Sequence, residues 1–432
     1  MAQPDHLCVL IHGLWGNPRH LDYLRNTLQA EHPEDKLHIL VPKSNADNFT
    51  YDGIEVGGER VTNEVEQCIR DLEQNGSKVT KISLVGYSLG GLVARYAVGL
   101  LYTSGLFDTV QPINFCTFAT PHLGVRAPKK GSLSEFWNYM GSRTLSTSGQ
   151  QMFLMDTFRD SDRPLLSILA DKNSIFTKGL SLFKNKWLYA NTTNDRSVPY
   201  FTAGFDAHDP YVDLDEVDVH HLPDQSEPVI LEPRKPVSKR KSRKVQPKDA
   251  PWISEQTRST LPLYAMFFAL MPIAVPTFLL NSIYQTYRSG QRIRLHEGGQ
   301  AGISLKRYRI PLLEDAQAVQ DRMIERINSA QGEDYLPTPP PESASSSTDT
   351  LEKATIPRSA SSDRSDGDFP TLALTDDQFA MIDGLDSLGF TKFPVHIQRH
   401  RHTHAAIVVR VDKAGFEEGK VVVGHWARKF EV

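Results

Sequence analysis

Short apolar runs and helical stripes alternate along the first half of the chain. Between the runs, Leu21, Leu24 and Leu28 mark one helix face, and Val61, Val65, Ile69 and Leu72 mark another. No hairpin signal separates the runs. The pattern therefore predicts right-handed crossovers and an α/β fold, with a mostly parallel central sheet and helices on both faces. The runs of strand length stand at 7–11, 37–42, 82–85, 113–119 and 187–191.

The stretch 81–97 carries the signals of a catalytic turn. An apolar strand pattern meets Gly86-Tyr87-Ser88-Leu89-Gly90, and apolar residues then continue at helical spacing. Strand, tight turn and helix are the context in which G-x-S-x-G forms a nucleophile elbow. Gly86 and Gly90 lack the Cβ atoms that would collide where strand and helix cross, so the Ser88 hydroxyl can stand exposed above the sheet edge. Ser88 is the candidate nucleophile; the alternative is a glycine-rich turn with an incidental serine.

The first strand ends at a glycine-bracketed loop, His12-Gly13-Leu14-Trp15-Gly16. A loop in this position can aim a backbone N–H at a developing oxyanion. We expect one donor at Leu14, with Trp15 as the alternative, and the second donor at Leu89, directly after Ser88. We expect His12 to order the loop by hydrogen bonding and to take no part in the chemistry.

A serine nucleophile of this kind needs a carboxylate that orients its base. Asp195 follows the strand at 187–191 and precedes Val198-Pro199, which is where such an acid belongs. An aspartate that only closes an Asx turn would give the same pattern. Asp195 is therefore the candidate acid, with the turn as the alternative.

Several histidines compete for the role of base. His404 is preferred because it stands immediately before the apolar run 405–410, which we predict to be the last core strand, and His402 is the next choice. His122, at the end of the strand 113–119, is disfavoured because the base usually follows the acid along the chain. His400, His402 and His404 could share a metal, but no acidic or cysteine partner is near them. We expect no metal and no organic cofactor.

Charge and cysteine content narrow the possible partners. The chain has 48 basic and 52 acidic residues and a net charge of -4, so we expect no nucleic-acid partner. Cys8, Cys68 and Cys116 each fall inside a predicted strand or helix, which favours free thiols in a reducing compartment over disulfides. The N-terminus runs into a strand without a charged and apolar leader, so we expect no signal peptide and no secretion. The sequons at Asn48 and Asn191 are then expected to stay unused.

An uncharged stretch, 259–287, interrupts the chain between the candidate acid and base. Its length permits a transmembrane helix, but Pro272 and Pro276 would kink one. A single span would also leave Ser88 and any downstream histidine on opposite sides of the membrane. We therefore predict a hairpin, re-entrant or interfacial segment, with a buried core helix as the alternative. Each nearby basic residue would add about 1 kcal/mol of attraction to an anionic surface.

Four motifs together resemble the putative serine esterases of the DUF676 group, which are α/β-hydrolase lipases. They are His12-Gly13-Leu14-Trp15-Gly16, Gly86–Gly91, Thr120-Pro121-His122-Leu123-Gly124 and the loop from Asn194 to Pro199. Within that group the sequence is most similar to the fungal lipid-droplet phospholipases. The resemblance covers roughly residues 5–204 and the last sixty or so. It implies Ser88 as nucleophile, Asp195 as acid and a C-terminal histidine as base.

The expected fold is thus an α/β-hydrolase with a membrane-associating insertion and a disordered loop. Within it, we expect the apolar span 133–186 to form helices that cap the site and partly receive an acyl chain. The predicted parts are a hydrolase core with nucleophile, oxyanion loop and acid (1–204), an acidic then basic linker (205–257), an apolar membrane-associating segment (258–288), a basic and amphipathic helical segment (289–330), a disordered Ser/Pro-rich loop (331–372) and the C-terminal part of the core with the catalytic histidine (373–432).

These features predict a lipid ester hydrolase, a lipase or phospholipase that works through an acyl-enzyme. Phospholipid or acylglycerol would be its substrate, and the lipid droplet or the cytosolic face of intracellular membranes its location. One alternative is a membrane-tethered protein or small-ester deacylase. The other is a non-catalytic adaptor with a hydrolase fold.

Overall fold

One parallel sheet organises the molecule. The computed structural model describes residues 3–125, 144–240, 276–308 (without 278, 301, 304, 306 and 307) and 369–432. The strands are β1 (His6–Ile11), β2 (Leu37–Leu40), β3 (Lys81–Tyr87), β4 (Gln111–Phe118), β5 (Asn185–Asn191) and β8 (Thr391–Val395); β6 (Val217–Val219) and β7 (Val237–Lys239) form a separate antiparallel pair. The six strands of the sheet lie in the order β2-β1-β3-β4-β5-β8, with every neighbouring pair parallel. The α/β prediction is confirmed.

Helices cover both faces of the sheet. Side chains alternate along each strand, so that Leu7 and Val9 face one hydrophobic cluster and Cys8 and Leu10 face the other. The helices are α1 (Asp22–Glu31), α2 (Ile54–Gln74), α3 (Leu89–Thr103), α4 (Ser146–Met152), α5 (Leu165–Ala170), α6 (Ile175–Ser181), α7 (Tyr200–Ala203), α8 (279–297), α9 (Asp376–Asp386), α10 (Thr403–Ala406) and α11 (Glu417–Lys429). Helices α2 to α7 and α9 contribute to the first cluster, and α1, α10 and α11 contribute to the second.

The end of the chain departs from the sequence prediction. The run 405–410 is not a strand: it continues α10 into a turn whose residues Ile407, Val408 and Val409 are buried in the second cluster. A short apolar run is compatible with either conformation, and periodicity alone could not separate them. The last strand is β8, which lies earlier and contains Pro394. A proline argues against a central strand but is tolerated at a sheet edge, where β8 lies.

Helix α8 has the reverse of the usual surface-helix pattern: its polar side chains are buried and its large apolar side chains are exposed. Its buried stripe is polar and contains Ser282, Gln285, Ser289 and His296. Its opposite face exposes large apolar side chains, Leu280, Ile283, Tyr284 and Tyr287. Since residues three and four apart share a helix face, the two sets lie on opposite sides of α8.

Buried charged contacts attach α8 to the core. His296 Nε2 lies 2.6 Å from Glu59 Oε2 on α2, and both side chains are fully buried. Arg292 and Ser289 both bind the buried carboxylate of Asp52. None of the helices in the described ranges is both long and apolar enough to cross a membrane.

Several sequence predictions fall partly or wholly outside the described residues. These are most of the apolar segment 258–288, the part of the basic and amphipathic segment 289–330 beyond residue 308, and nearly all of the loop 331–372. In the predicted linker 205–257, the residues up to 240 are described and pack on the core: Leu231 N–H donates to Pro394 O and His396 N–H to Val229 O. The three cysteines are free thiols.

The predicted cap span 133–186 is described from residue 144 onward. Helix α6 packs on α3, where Phe176 lies against Gly99, and α5 packs on α9. Helix α4 instead joins the loop before α2, because Ser148 Oγ accepts from Gly53 N–H and Gln151 Oε1 accepts from Ile54 N–H. Much of the span is therefore core packing, and α4 is the part that contacts the segment 50–54.

Candidate active site

The candidate nucleophile lies where the sheet order reverses. The chain runs outward from β1 to β2 and then returns to β3 on the other side of β1, so the carboxyl ends of β1 and β3 form a crevice of the kind that binds ligands in α/β sheets. Ser88 follows β3 directly, with φ 56° and ψ -129°. A non-glycine residue holds this strained conformation only when its surroundings impose it. A Cβ on Gly86 would come within 2.3 Å of Gly91 Cα, and one on Gly90 within 2.2 Å of Ile11 O.

Three predicted site residues form one hydrogen-bonded chain. His404 Nε2 lies 3.0 Å from Ser88 Oγ, and His404 Nδ1 lies 2.8 Å from Asp195 Oδ2. Asp195 and Ser88 are buried and the His404 side chain is 20% exposed. With Nδ1–H donating to the carboxylate, Nε2 is free to accept the proton of the serine hydroxyl.

The Asp195 carboxylate is held from two sides. Its Oδ1 accepts from the backbone N–H groups of Ser197 and Val198, at 3.1 and 2.8 Å. Its Oδ2 accepts from Asn191 Nδ2 at 2.9 Å, on the same oxygen that faces His404. The Asx turn that the sequence left as an alternative is therefore present, and the same side chain also faces the histidine. Sequence reasoning missed Asn191, although a polar residue at the end of a buried strand was a usable signal.

The position of His404 depends on contacts made by its backbone. Tyr87 Oη donates to His404 O at 2.9 Å, and the two rings lie 5.2 Å apart. Burial raises the pKa of the Tyr87 phenol, so it stays a neutral donor. Thr403 Oγ1 donates to Thr193 O at 2.9 Å and joins this loop to the one that carries Asp195. Sequence reasoning assigned no role to Tyr87 or Thr403.

The two predicted backbone donors belong to residues next to the serine loop: Leu89 follows Ser88, and a Cβ on Gly13, the residue before Leu14, would come within 3.2 Å of Ser88 Oγ. Among the residues that the structure describes, the N–H groups of Leu14 and Leu89 have no hydrogen-bond acceptor. Trp15 N–H instead donates to Thr50 Oγ1 at 3.0 Å, so this alternative donor is already occupied. Leu89 is the first residue of α3, where the helix dipole favours negative charge.

The rival histidines lie elsewhere. His402 is exposed, and its ring lies 5.5 Å from that of His400. His122 is fully buried between Thr117 Oγ1 and Arg95, and burial, followed by the Arg95 charge, lowers its pKa well below the usual range. His12 Nδ1 lies 3.1 Å from Gly13 O within its own loop, and burial lowers its pKa.

Nothing in the described parts of the chain forms a cluster of three His, Cys, Asp or Glu side chains suited to a metal ion.

A cavity of about 470 Å³ lies beside the acid loop, between residues 191–195 and 209–215. Its lining does not include Ser88.

The sheet order, the strained serine after β3 and the histidine and aspartate loops at the same edge define an α/β-hydrolase. Residues 1–208 match the family described as "Putative serine esterase (DUF676)". The match covers just under half of the chain and falls on the family that the sequence motifs resemble.

The relatives are described as lipases, and the chain matches only part of each. It is 30% identical over 216 residues to "Putative lipase C4A8.10" of Schizosaccharomyces pombe, covering 48% of this chain and 26% of the relative. It is 31% identical over 204 residues to "Putative lipase ROG1" of Saccharomyces cerevisiae, covering 46% and 28%. The chain thus spans less than a third of the length of these relatives. The solved peroxisomal α/β-hydrolase Lpx1 of Saccharomyces cerevisiae is similar with a TM-score of 0.28 and 12% identity, over 48% of this chain and 67% of that one.

Proposed function

We propose that this protein is a lipid ester hydrolase, a lipase or phospholipase, that acts at a lipid surface through a triad of Ser88, His404 and Asp195. The observation that carries the proposal is the continuous hydrogen-bond chain from Ser88 Oγ through both nitrogens of His404 to Asp195 Oδ2. The match of residues 1–208 to a serine esterase family and the lipase names of the relatives support an ester substrate.

The chemistry follows from the order of these contacts. Ser88 Oγ attacks the acyl carbon while His404 Nε2 takes its proton, and Asp195 stabilises the imidazolium that forms. His404 then returns the proton to the departing alcohol, which leaves the acyl group on Ser88. Water repeats the sequence and releases the fatty acid. The chain's own side chains move every proton in this cycle.

The oxyanion of each tetrahedral intermediate would be held by the N–H groups of Leu14 and Leu89. Such a donor contributes about 3 kcal/mol to the lowering of the barrier, because it meets charge that develops only in the transition state. Neither N–H has an acceptor among the described residues, and Gly13, the residue before Leu14, lies against Ser88; both observations support the proposal.

The exposed face of α8 supports the lipid part of the proposal. Leu280 and Ile283 are each 68% exposed, and Tyr284 and Tyr287 stand beside them. Tyrosines suit the headgroup level of a membrane, and Arg288 and Arg294, also exposed, suit anionic lipid. Phospholipid or acylglycerol is the proposed substrate, and the lipid droplet or the cytosolic face of intracellular membranes the proposed location.

The test is fatty-acid release from phospholipid vesicles and triacylglycerol emulsions by the whole chain. Ser88→Ala and His404→Ala should each lower the rate of fatty-acid release about 10³-fold or more, because each removes a group that acts in the reaction. His402→Ala is the matched control. Because the imidazole of His402 is exposed, its removal should change the rate of fatty-acid release less than twofold. The preferred lipid then identifies the substrate class.

The other outcomes separate the alternatives. A wild type that hydrolyses short soluble esters but neither lipid favours the deacylase. Failure of folded wild type to label at Ser88 with a fluorophosphonate favours the non-catalytic adaptor. Full activity of His404→Ala, with Ser88→Ala inactive, would show that the base is another histidine.

A further inference from the structure

A short 3-10 turn, Asp47–Tyr51, lies against the proposed oxyanion loop. Thr50 Oγ1 accepts from Trp15 N–H at 3.0 Å and donates to Asp47 O at 2.7 Å. Asp47 N–H donates to Gly16 O at 2.7 Å. Two hydrogen bonds therefore join the turn to the loop, one residue and two residues beyond Leu14.

Arg292 of α8 binds the same turn and Asp52, the residue that follows it. Its Nε lies 2.9 Å from Asp52 Oδ2, and its Nη2 lies 2.7 Å from Asp52 Oδ1 and 2.9 Å from Asn48 O. Its guanidinium also lies 5.1 Å from the centre of the Phe49 ring. Arg60 of α2 completes the arrangement, because it binds Asp52 Oδ2 at 2.8 Å.

We propose that Thr50 and Arg292 are positioning residues for the oxyanion hole. Thr50 holds the Leu14–Trp15 backbone directly, and Arg292 holds the turn that carries Thr50. The inference rests on the proposed hydrolase function, and neither residue touches the substrate. It gives the buried, polar side of α8 a role separate from that of its outer face.

The conformation of the loop requires such an anchor. Trp15 has φ 52°, in the left-handed region that a tryptophan adopts only when its surroundings hold it there. The hydrogen bond from its N–H to Thr50 supplies that constraint one residue after Leu14, whose N–H is the proposed oxyanion donor. Oxyanion donors must meet the charge at about 2.7–3.1 Å, so a small shift of the loop weakens one donor.

Three variants test the role of Thr50 with a soluble short-chain ester, which requires no lipid surface. Thr50→Val keeps the shape and removes the acceptor, whereas Thr50→Ser keeps the hydroxyl. Thr80→Val is the matched control, since Thr80 bonds Asp5 at the far end of β3. Per Ser88 titrated with fluorophosphonate, Thr50→Val should lower kcat about tenfold, or about 1.4 kcal/mol, with KM within twofold. Thr50→Ser and Thr80→Val should stay within threefold of wild type.

Arg292→Gln tests the link to α8. It should lower kcat per titrated site about threefold to tenfold, while Arg70→Gln, which removes an exposed charge near the end of α2, should not. The double variant with Thr50→Val should lose less than the product of the single losses, because both act through one loop. Fully multiplicative losses would overturn the link to Arg292.

Hydrogen exchange makes the inference testable apart from catalysis. The amides of 13–16 should exchange about tenfold faster in Thr50→Val and Arg292→Gln than in wild type, because their anchor opens more often. Wild-type exchange and wild-type kcat in Thr50→Val would overturn the inference, as would equal loss in Thr50→Ser. A wild type inactive on every ester would overturn the proposed function instead, and exchange would still decide whether these residues hold the loop.

Discussion

At the scale of single residues, Asn191 supports the candidate acid. Its side-chain amide donates to the Asp195 oxygen that also receives His404, and its own Oδ1 is buried without a partner among the described residues. The amide orientation follows from this contact, because the opposite one would set an oxygen against the carboxylate. Asn191 therefore fixes the direction in which Asp195 points at the histidine.

We predict that Asn191→Leu lowers kcat on soluble esters about tenfold. The carboxylate keeps its two backbone donors but loses the side-chain donor on the oxygen that orients His404. A hydrogen bond to a charged group is worth about 1.5–3 kcal/mol, and we expect about half of it to appear in the barrier. Steady-state rates per titrated serine provide the measurement.

Asn185→Leu is the matched control for this prediction. Asn185 begins β5, and its side chain bonds Asn114 and Glu431 at the opposite end of the strand. Its loss should lower the free energy of unfolding and leave kcat within twofold. Equal kcat losses in the two variants would mean that Asn191 acts through stability alone.

At the scale of elements, a buried polar link joins three strands at the amino end of the sheet. Ser83 Oγ accepts from Asn114 N–H and Nδ2, so its own proton is directed at His6 Nε2, 2.7 Å away. The imidazole of His6 must then be neutral, with Nε2 unprotonated so that it can accept this hydrogen bond. Burial, and next the Lys81 charge, lowers the pKa of His6 from 6.5 to about 4.

This shift predicts acid-dependent stability. Between pH 6.5 and about 4 the unfolded chain binds a proton at His6 that the folded chain does not. Stability from this group is complete above pH 6.5 and falls as the pH approaches 4. In urea unfolding, wild type should lose about 2 kcal/mol more than His6→Gln between pH 7 and pH 4.5, since each pKa unit corresponds to about 1.4 kcal/mol. Parallel losses in the two proteins would contradict the assignment.

At the scale of the whole molecule, α8 has a polar stripe that binds the core and an apolar stripe that is open to the surroundings. Its polar stripe is buried against α2 and the turn before it, and its apolar stripe faces outward. Folding of the described residues alone leaves that stripe exposed. A lipid surface would cover it while leaving the buried charged contacts intact.

We predict that Ile283→Gln with Tyr287→Gln lowers activity on lipid emulsions at least tenfold, with the loss confined to emulsified substrate. Burial of an isoleucine in an apolar phase is worth about 1.5–3 kcal/mol, so removal of two anchors weakens adsorption. Flotation with anionic vesicles measures the binding. Leu182→Gln, an exposed apolar residue after α6, is the control and should float as wild type does. Unchanged flotation of the double variant would assign the surface contact to another part of the chain.

The sequence by itself determined the local architecture. Strand-length apolar runs, helical stripes and G-x-S-x-G predicted the parallel sheet and the position of Ser88 after β3, and the structure confirms that fold. These features depend on neighbouring residues, whose spacing sets which side chains share a face. The prediction of a strand at 405–410 was wrong because the same short apolar run suits a strand or a buried turn.

Only the tertiary structure decided which distant groups meet. Ser88 and His404 are 316 positions apart, and His404 and Asp195 are 209 apart. The sequence preferred His404 over His402 because a strand was predicted to follow it, but that run is a buried turn, so only the contacts in the structure support the choice. The inward direction of the polar stripe on α8 was equally invisible, because it depends on the buried partners Asp52 and Glu59. Hydrophobic period is a property of a segment, whereas hydrogen-bond pairing is a property of the folded chain, and the proposed site depends on the second.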